Sequence, residues 1–236
     1  MLAKLLATEN FTIRHSGAAS TASFDIKNRV LTFPVWQDIS KSLYNLLTVH
    51  ETGHAIDTPL DGWIDAKKSI AQKVLGRTDD FAQKKIGNAL NVVEDARIDK
   101  RQKRRFPGCR KFYLEGYEEL FKRNFFGTEG RDLNSYGFMD RFNMYFKGAF
   151  NRGIKFSAKE QAFIKEAEDL ETWAQVVDFT ERFFAFCKDE LNETPADEPG
   201  DGTGKQSRRF VASDEEGDDS GEPGEEIDID DLDEES

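Results

Sequence analysis

The stretch His50-Glu51-Thr52-Gly53-His54 decides most of what this sequence predicts about fold and chemistry. It uses two of the three histidines in the chain. Residues four apart on a helix lie one turn apart on the same face, roughly 6 Å along the axis. Both imidazoles of such a helix can therefore reach one metal ion at about 2.0–2.1 Å, the usual Zn–N distance.

Glu51 stands between the two histidines and completes the pattern H-E-x-x-H, which is typical of the zinc-binding helix of metallopeptidases. Its carboxylate is expected to hydrogen-bond a metal-bound water rather than the metal. Zinc lowers the pKa of such a water, and the glutamate takes its proton as the water attacks a carbonyl carbon. The motif thus predicts peptide hydrolysis with Glu51 as general base and one zinc ion per chain.

The surrounding sequence predicts one amphipathic helix from Asp38 to Ile56, and Asp57-Thr58-Pro59 ends it directly after the motif. Gly53 costs a helix about 1 kcal/mol, which indicates close approach by another backbone or by substrate. The alternative interpretation is a pair of core histidines with an exposed glutamate between them. The apolar stripe that the histidines continue consists of Ile39, Leu43, Leu46 and Leu47.

A zinc site with an open catalytic position has three protein ligands, so one more must come from another segment. A second helix is predicted from about Thr78, as N-cap, to Arg105. Acidic residues beside its apolar stripe are costly unless they are paired or bind metal. Glu94 is the first candidate for the third ligand. Asp95 is the alternative, because Asp99 one turn later would support it.

Two further groups, Asp57 and His15, are weaker candidates for the third ligand. In the competing interpretation, Glu94 and Asp95 lie on a solvated helix face. They would then pair with basic residues of the same helix, namely Arg97, Lys100 or Arg101.

The motif at 50–54, followed on a later helix by Glu94-Asp95-Ala96-Arg97-Ile98-Asp99, resembles the glutamate-type zincins, or gluzincin-like metallopeptidases. More narrowly, it is similar to phage and bacterial metallopeptidase-like proteins related to the N-terminal part of cobaltochelatase CobT. The resemblance covers roughly residues 20–125. It implies His50 and His54 as ligands, Glu51 as general base and Glu94 as third ligand.

In those longer proteins an acidic stretch often joins the metallopeptidase-like region to a von Willebrand A domain. This sequence has no D-x-S-x-S metal-adhesion motif after its acidic stretch. We therefore expect no chelatase-subunit or adhesion role that depends on such a domain. In zincins an edge strand near the active-site helix pairs with extended substrate, and the strand predicted just before the motif helix is a candidate for that role. The alternative is an ordinary core strand.

The chain of 236 residues has a net charge of −12, but the charge is unevenly distributed. From Asn192 onward there are 18 acidic and 3 basic side chains, a charge of −15, so residues 1–191 carry +3. The segment 192–236 is rich in Gly, Pro, Asp, Glu and Ser and is predicted to be a disordered acidic tail. It is interpreted as a solubilising segment, or alternatively as a docking motif for a protein partner or a lid over a basic patch.

A basic patch lies near the end of the second helix and predicts a possible polyanion-binding surface. Basic residues at a helix C-terminus also complement the helix dipole and need no ligand. Nucleic-acid binding is therefore kept as an alternative, with the metal in a structural role. The patch consists of Arg97, Lys100, Arg101, Lys103, Arg104, Arg105, Arg110 and Lys111.

The predicted fold class is α+β, predominantly helical and zincin-like. A small N-terminal β-hairpin within Thr21–Trp36 packs on the active-site helix, and a helical subdomain follows. We expect a metallopeptidase core over residues 1–125, a helical subdomain over 126–191 and the tail over 192–236. The further helices are predicted near 63–75, 110–124, 132–150, 157–168 and 171–191, with a capping box at Ser157 and Glu160.

Cellular location is predicted by elimination. Residues 1–9 hold no sustained apolar run, so we expect no secretory signal. No stretch approaches the roughly 20 apolar residues that span a membrane, and two cysteines indicate no disulfide framework. The sequence predicts a cytoplasmic protein, in a host cytoplasm if the source is viral.

Taken together, the residues predict a cytoplasmic zinc metallopeptidase that acts on a polypeptide substrate. A catalytically inactive, CobT-like metal-binding adaptor or assembly protein remains an alternative, as does the nucleic-acid-binding protein described above.

Overall fold

The computed structural model describes residues 11–193, with side chains up to residue 189. The predicted absence of a signal in residues 1–9 therefore falls outside the described residues. So does the predicted acidic tail, apart from Asn192 and Glu193, which lie in the last helix. Within the described range, no helix combines the length and the apolar character that crossing a bilayer requires.

Three short strands form one sheet in the order β1-β3-β2: β1 Thr12–Ser16, β2 Ser23–Asp25 and β3 Val30–Pro34. The predicted hairpin is confirmed, since β2 and β3 pair antiparallel. The sequence pattern did not predict β1, which pairs in parallel with β3. As a result β3 is the central strand, and the expectation that it serves as a substrate-binding edge is wrong.

Seven α-helices follow the sheet in the described part of the chain, and they make the fold predominantly helical. The helices are α1 Lys41–Asp57, α2 Leu60–Ile70, α3 Asp80–Arg105, α4 Arg110–Lys122, α5 Phe138–Met144, α6 Ala158–Glu168 and α7 Trp173–Glu193. Two π-helical stretches, Ala71–Leu75 and Tyr145–Ala149, continue α2 and α5. The predicted class, α+β with mostly helix, is confirmed.

Polar residues set the helix ends. Ser40 caps α1 by accepting a hydrogen bond from the Leu43 amide at 3.1 Å, and Thr58 ends it, as the motif context predicted. The N-cap of α3 is Asp79 rather than the predicted Thr78, because the Asp79 carboxylate accepts the Ala82 amide at 3.2 Å. The predicted capping box of Ser157 and Glu160 is present on α6.

Two apolar clusters form the core, and α3 is the element next to both. One cluster joins the sheet to α1 and α4, with Leu31, Leu46 and Tyr117 among its members. The other joins α2 and the first two thirds of α3 to α5, α6 and α7 around Phe142. Helices on both sides of residue 125 contribute to the second cluster.

Two glycines allow α1 to lie close to its neighbours. A Cβ atom at Gly53 would lie 3.1 Å from Gln102 Cγ and 3.2 Å from Ile98 Cδ1, both on α3. The close approach predicted at Gly53 therefore involves side chains of a packed helix. At Gly116 on α4, a Cβ would lie 2.7 Å from Leu46 Cδ2.

Replacing Gly116 with alanine is expected to destabilise the fold. Leu46 is buried and cannot yield without disturbing α1, so we expect Gly116→Ala to lower the free energy of unfolding by about 1–3 kcal/mol. Urea denaturation measures the change. The control is Gly108→Ala, where no atom lies within 4 Å of the added Cβ. Equal stability of the two variants would contradict the close contact.

Candidate metal centre

Two histidines on α1 and one aspartate on α3 form a compact cluster between these crossing helices. His50, His54 and Asp95 each offer one ligand atom, and the three atoms lie within 4.8 Å of one another. The Nε2 atom of His54 lies 3.1 Å from Oδ1 of Asp95, and that of His50 lies 3.5 Å from the same oxygen. Both imidazoles therefore present Nε2 to one carboxylate oxygen.

The opposite nitrogen of His50 is held by Asp99, one turn after Asp95 on α3. His50 Nδ1 lies 2.7 Å from Oδ1 of Asp99. Asp99 also accepts hydrogen bonds from the hydroxyls of Tyr113 and Tyr117 at 2.8 and 2.7 Å. Because a carboxylate only accepts, Nδ1 of His50 donates to Asp99, and Nε2 is the nitrogen that would bind a metal.

A separate chain of hydrogen bonds orients His54. Its Nδ1 lies 3.2 Å from Oγ1 of Thr58, and the Thr58 hydroxyl donates to Oε1 of Glu94 at 2.6 Å. Arg97 holds Glu94 in turn, with Nε and Nη2 at 2.8 and 2.6 Å from its two oxygens. Since Thr58 donates to Glu94, it accepts from His54 Nδ1. Nε2, which faces Asp95, is therefore the nitrogen that would bind a metal in place of its proton.

Glu94, the first candidate for the third ligand, does not belong to this cluster in the structure. Adjacent residues on a helix point about 100° apart, so Glu94 and Asp95 face different neighbours. Glu94 faces Arg97 and Thr58, whereas Asp95 faces the two imidazoles. The geometry favours the alternative ligand Asp95, with Asp99 as support for His50 and Glu94 as indirect support for His54.

Lys147 is the site residue that the sequence analysis missed. Its Nζ lies 2.7 Å from Oδ2 of Asp95, the oxygen that faces away from the imidazoles, and its side chain is only 16% exposed. Lys147 follows α5. The spacing of the aromatic residues in 138–150 predicted that this stretch is a helix packed on the core. Nothing in that spacing distinguishes Lys147 from an exposed lysine.

The pKa values at the site reflect strong negative potential around His50. Burial lowers the pKa of His50, but the Asp99 and Asp95 carboxylates outweigh it and raise the pKa well above its usual value. Burial raises the pKa of Asp95, whereas Lys147 and His50 lower it to well below the usual range. A site that attracts a proton to imidazole in this way also attracts a metal cation.

Glu51 is 6% exposed, which contradicts the alternative of an exposed glutamate between two core histidines. Burial lowers the pKa of Lys147, the Asp95 carboxylate raises it, and Asp99 and Glu51 add to the rise. The negative charge of Glu51 therefore helps to stabilise the protonated form of Lys147. Glu51 belongs to the same buried group of charges as the cluster.

The two weaker candidates for the third ligand lie elsewhere. Asp57 accepts hydrogen bonds from Arg101 and Arg105 at 3.1 Å. The ring of His15 stacks on Phe33 with a centroid distance of 5.6 Å, on the sheet.

Much of the predicted basic patch is paired within the fold. Lys100 and Arg104 both reach Oε1 of Glu171, at 3.0 and 2.6 Å. Lys103 lies over the ring of Tyr113, 4.9 Å from its centroid. With Arg97 on Glu94 and with Arg101 and Arg105 on Asp57, these cations have acidic or aromatic partners within the chain.

No protein-family model, curated protein or solved structure matches this chain. The resemblance to gluzincin-like and CobT-related proteins therefore depends on the motif residues themselves.

Zinc binding distinguishes Asp95 from the residues that only orient the imidazoles. We expect about one zinc per chain in the wild type, lost in Asp95→Asn because a ligand oxygen and its charge disappear. Thr58→Val cuts the link from Glu94 to His54 without disturbing the Glu94–Arg97 pair. It is expected to weaken zinc binding by about 10- to 100-fold, as is usual for such supporting groups. Metal analysis and chelator competition measure both effects.

The control for these variants is Asp61→Asn, an exposed carboxylate at the start of α2. Circular dichroism on each protein checks that the fold is intact. If Asp95→Asn bound zinc as tightly as the wild type does, Asp95 would not be the third ligand. Glu94 would then again be the first candidate.

Proposed function

We propose that this protein is a zinc-dependent metallopeptidase in which His50, His54 and Asp95 hold the metal. The observation that carries the proposal is the convergence of two Nε2 atoms on one carboxylate oxygen, at 3.1 and 3.5 Å. In addition, each Nδ1 atom has a hydrogen-bond acceptor of its own. Coupling the far nitrogen of a ligand histidine to such a partner is a common feature of protein metal sites.

The donor set supports zinc. Two imidazole nitrogens and one carboxylate oxygen are ligands that zinc accepts, and three protein ligands leave a position for water or substrate. The buried charges also support a divalent cation. Asp95 and Asp99 are both buried carboxylates beside the two imidazoles, where they attract a cation.

Glu51 is the proposed general base. Zinc would polarise a water molecule and the substrate carbonyl at this position. Glu51 lies between the two proposed ligands on α1, and its burial beside the cluster suits a carboxylate that accepts a proton from that water and passes it to the leaving amine. The bond broken is the peptide C–N bond. The added water supplies a hydroxyl to the new carboxyl group and a proton to the new amine.

Replacing Glu51 with glutamine separates catalysis from metal binding. We expect Glu51→Gln to keep about one zinc per chain and to lose cleavage of a mixed-sequence fluorogenic peptide library by about 10²- to 10⁴-fold. Removing zinc from the wild type with a chelator is expected to abolish the same cleavage, and added zinc to restore it. The matched control is Glu129→Gln, an exposed carboxylate far from α1 along the chain.

Zinc bound by the wild type without cleavage of any library peptide or denatured protein would contradict the enzymatic proposal. It would support instead the metal-binding adaptor that the sequence leaves open.

A further inference from the structure

Lys147 reaches the proposed metal centre through a break in helical geometry. In the π-helical stretch after α5, Lys147 has φ −91° and ψ 36°, and Gly148 has φ 91°. The positive φ at Gly148 is a conformation that favours glycine. A Cβ atom there would also lie 3.0 Å from Cβ of Tyr117. This single turn therefore places Lys147 over Asp95 and packs against the tyrosine that holds Asp99.

The two oxygens of Asp95 have different neighbours. Oδ1 faces the Nε2 atoms of His50 and His54, whereas Oδ2 forms the 2.7 Å ion pair with Lys147. A carboxylate can bind zinc through one oxygen or through both. When both oxygens bind, the carboxylate takes up a coordination position that catalysis needs for water or substrate.

We infer that Lys147 is a positioning residue that holds Asp95 Oδ2, so that Asp95 binds the metal through Oδ1 alone and one coordination position stays open. This inference rests on the proposed function and extends it to a residue outside the motif. A lysine that only neutralised the charge of Asp95 could pair with either of its two oxygens. Here the pairing selects one particular oxygen, the one that does not face the imidazoles.

The inference predicts an unusual combination of effects in Lys147→Met. Methionine is similar in length but carries no charge and cannot hold Oδ2. Both oxygens of Asp95 can then bind, and a cation that repels the metal is gone. We expect the metal affinity to stay the same or to rise, by about tenfold, while the coordination number increases. A residue needed only for folding would lower the affinity.

Cobalt(II) is the probe, because tetrahedral Co²⁺ absorbs visible light more strongly than Co²⁺ of higher coordination number. Wild-type protein titrated with Co²⁺ is expected to give the intense spectrum. Lys147→Met is expected to give a weaker spectrum per bound ion, with affinity at least equal to that of wild type. Lys147→Arg keeps a cation beside Oδ2 and is expected to retain the intense spectrum. The control is Lys165→Met, at an exposed lysine of α6.

The outcomes separate this inference from the proposed function. If wild-type protein binds no Co²⁺ and no zinc, the metal centre is wrong and this inference is wrong with it. If wild type binds metal and Lys147→Met gives the same spectrum, or binds more weakly with an unchanged spectrum, only the role of Lys147 is overturned. If Lys147→Met does not fold, Lys147→Gln is measured in its place. The weaker spectrum per bound ion is again expected.

Discussion

The burial of two aspartates one turn apart on α3 is the constraint on which the rest of the site depends. Asp95 and Asp99 are both about 2% exposed. An unpaired buried carboxylate costs several kcal/mol, so these two require partners from every element around them. α1 supplies two imidazoles, α4 supplies two tyrosine hydroxyls, and the turn after α5 supplies an ammonium group. The same contacts therefore form the site and hold these helices together.

This arrangement also explains why the partners differ in kind. Asp99 accepts hydrogen bonds from two tyrosine hydroxyls and from His50, and so holds His50 in one orientation. Tyr113 and Tyr117 remain protonated donors, because burial and the Asp99 charge raise the pKa of both well above its usual value. Asp95 receives the one ammonium group on a single oxygen and leaves the other for the imidazoles. Two chemically identical side chains thus have different roles through their surroundings.

The long helix α3 links this centre to the surface through its cations. Arg97 fixes Glu94 and donates to the backbone oxygens of Asp57 and Glu171. The same helix face then continues to Arg101 and Arg105, which hold the carboxylate of Asp57, the last residue of the motif helix. These contacts fix the end of α1 next to His54. The basic residues that suggested a polyanion-binding surface therefore have a second role, which is to secure the helix that carries the motif.

The sequence by itself determined the motif helix, predicted over 38–56 and found over 41–57, its end after the motif and the common face of His50 and His54. These depend on local spacing, capping and the 3.6-residue period, which act within a few residues. It also put Glu94 and Asp95 ahead of Asp57 and His15 as partners of the two histidines. Only the tertiary structure showed that Asp95, and not Glu94, faces the two histidines, because this depends on how α3 is rotated against α1. It alone placed β1 beside β3, Thr58 between His54 and Glu94, and Lys147 on Asp95. Those contacts join residues up to 52 positions apart in the chain, and no local pattern specifies how distant segments meet.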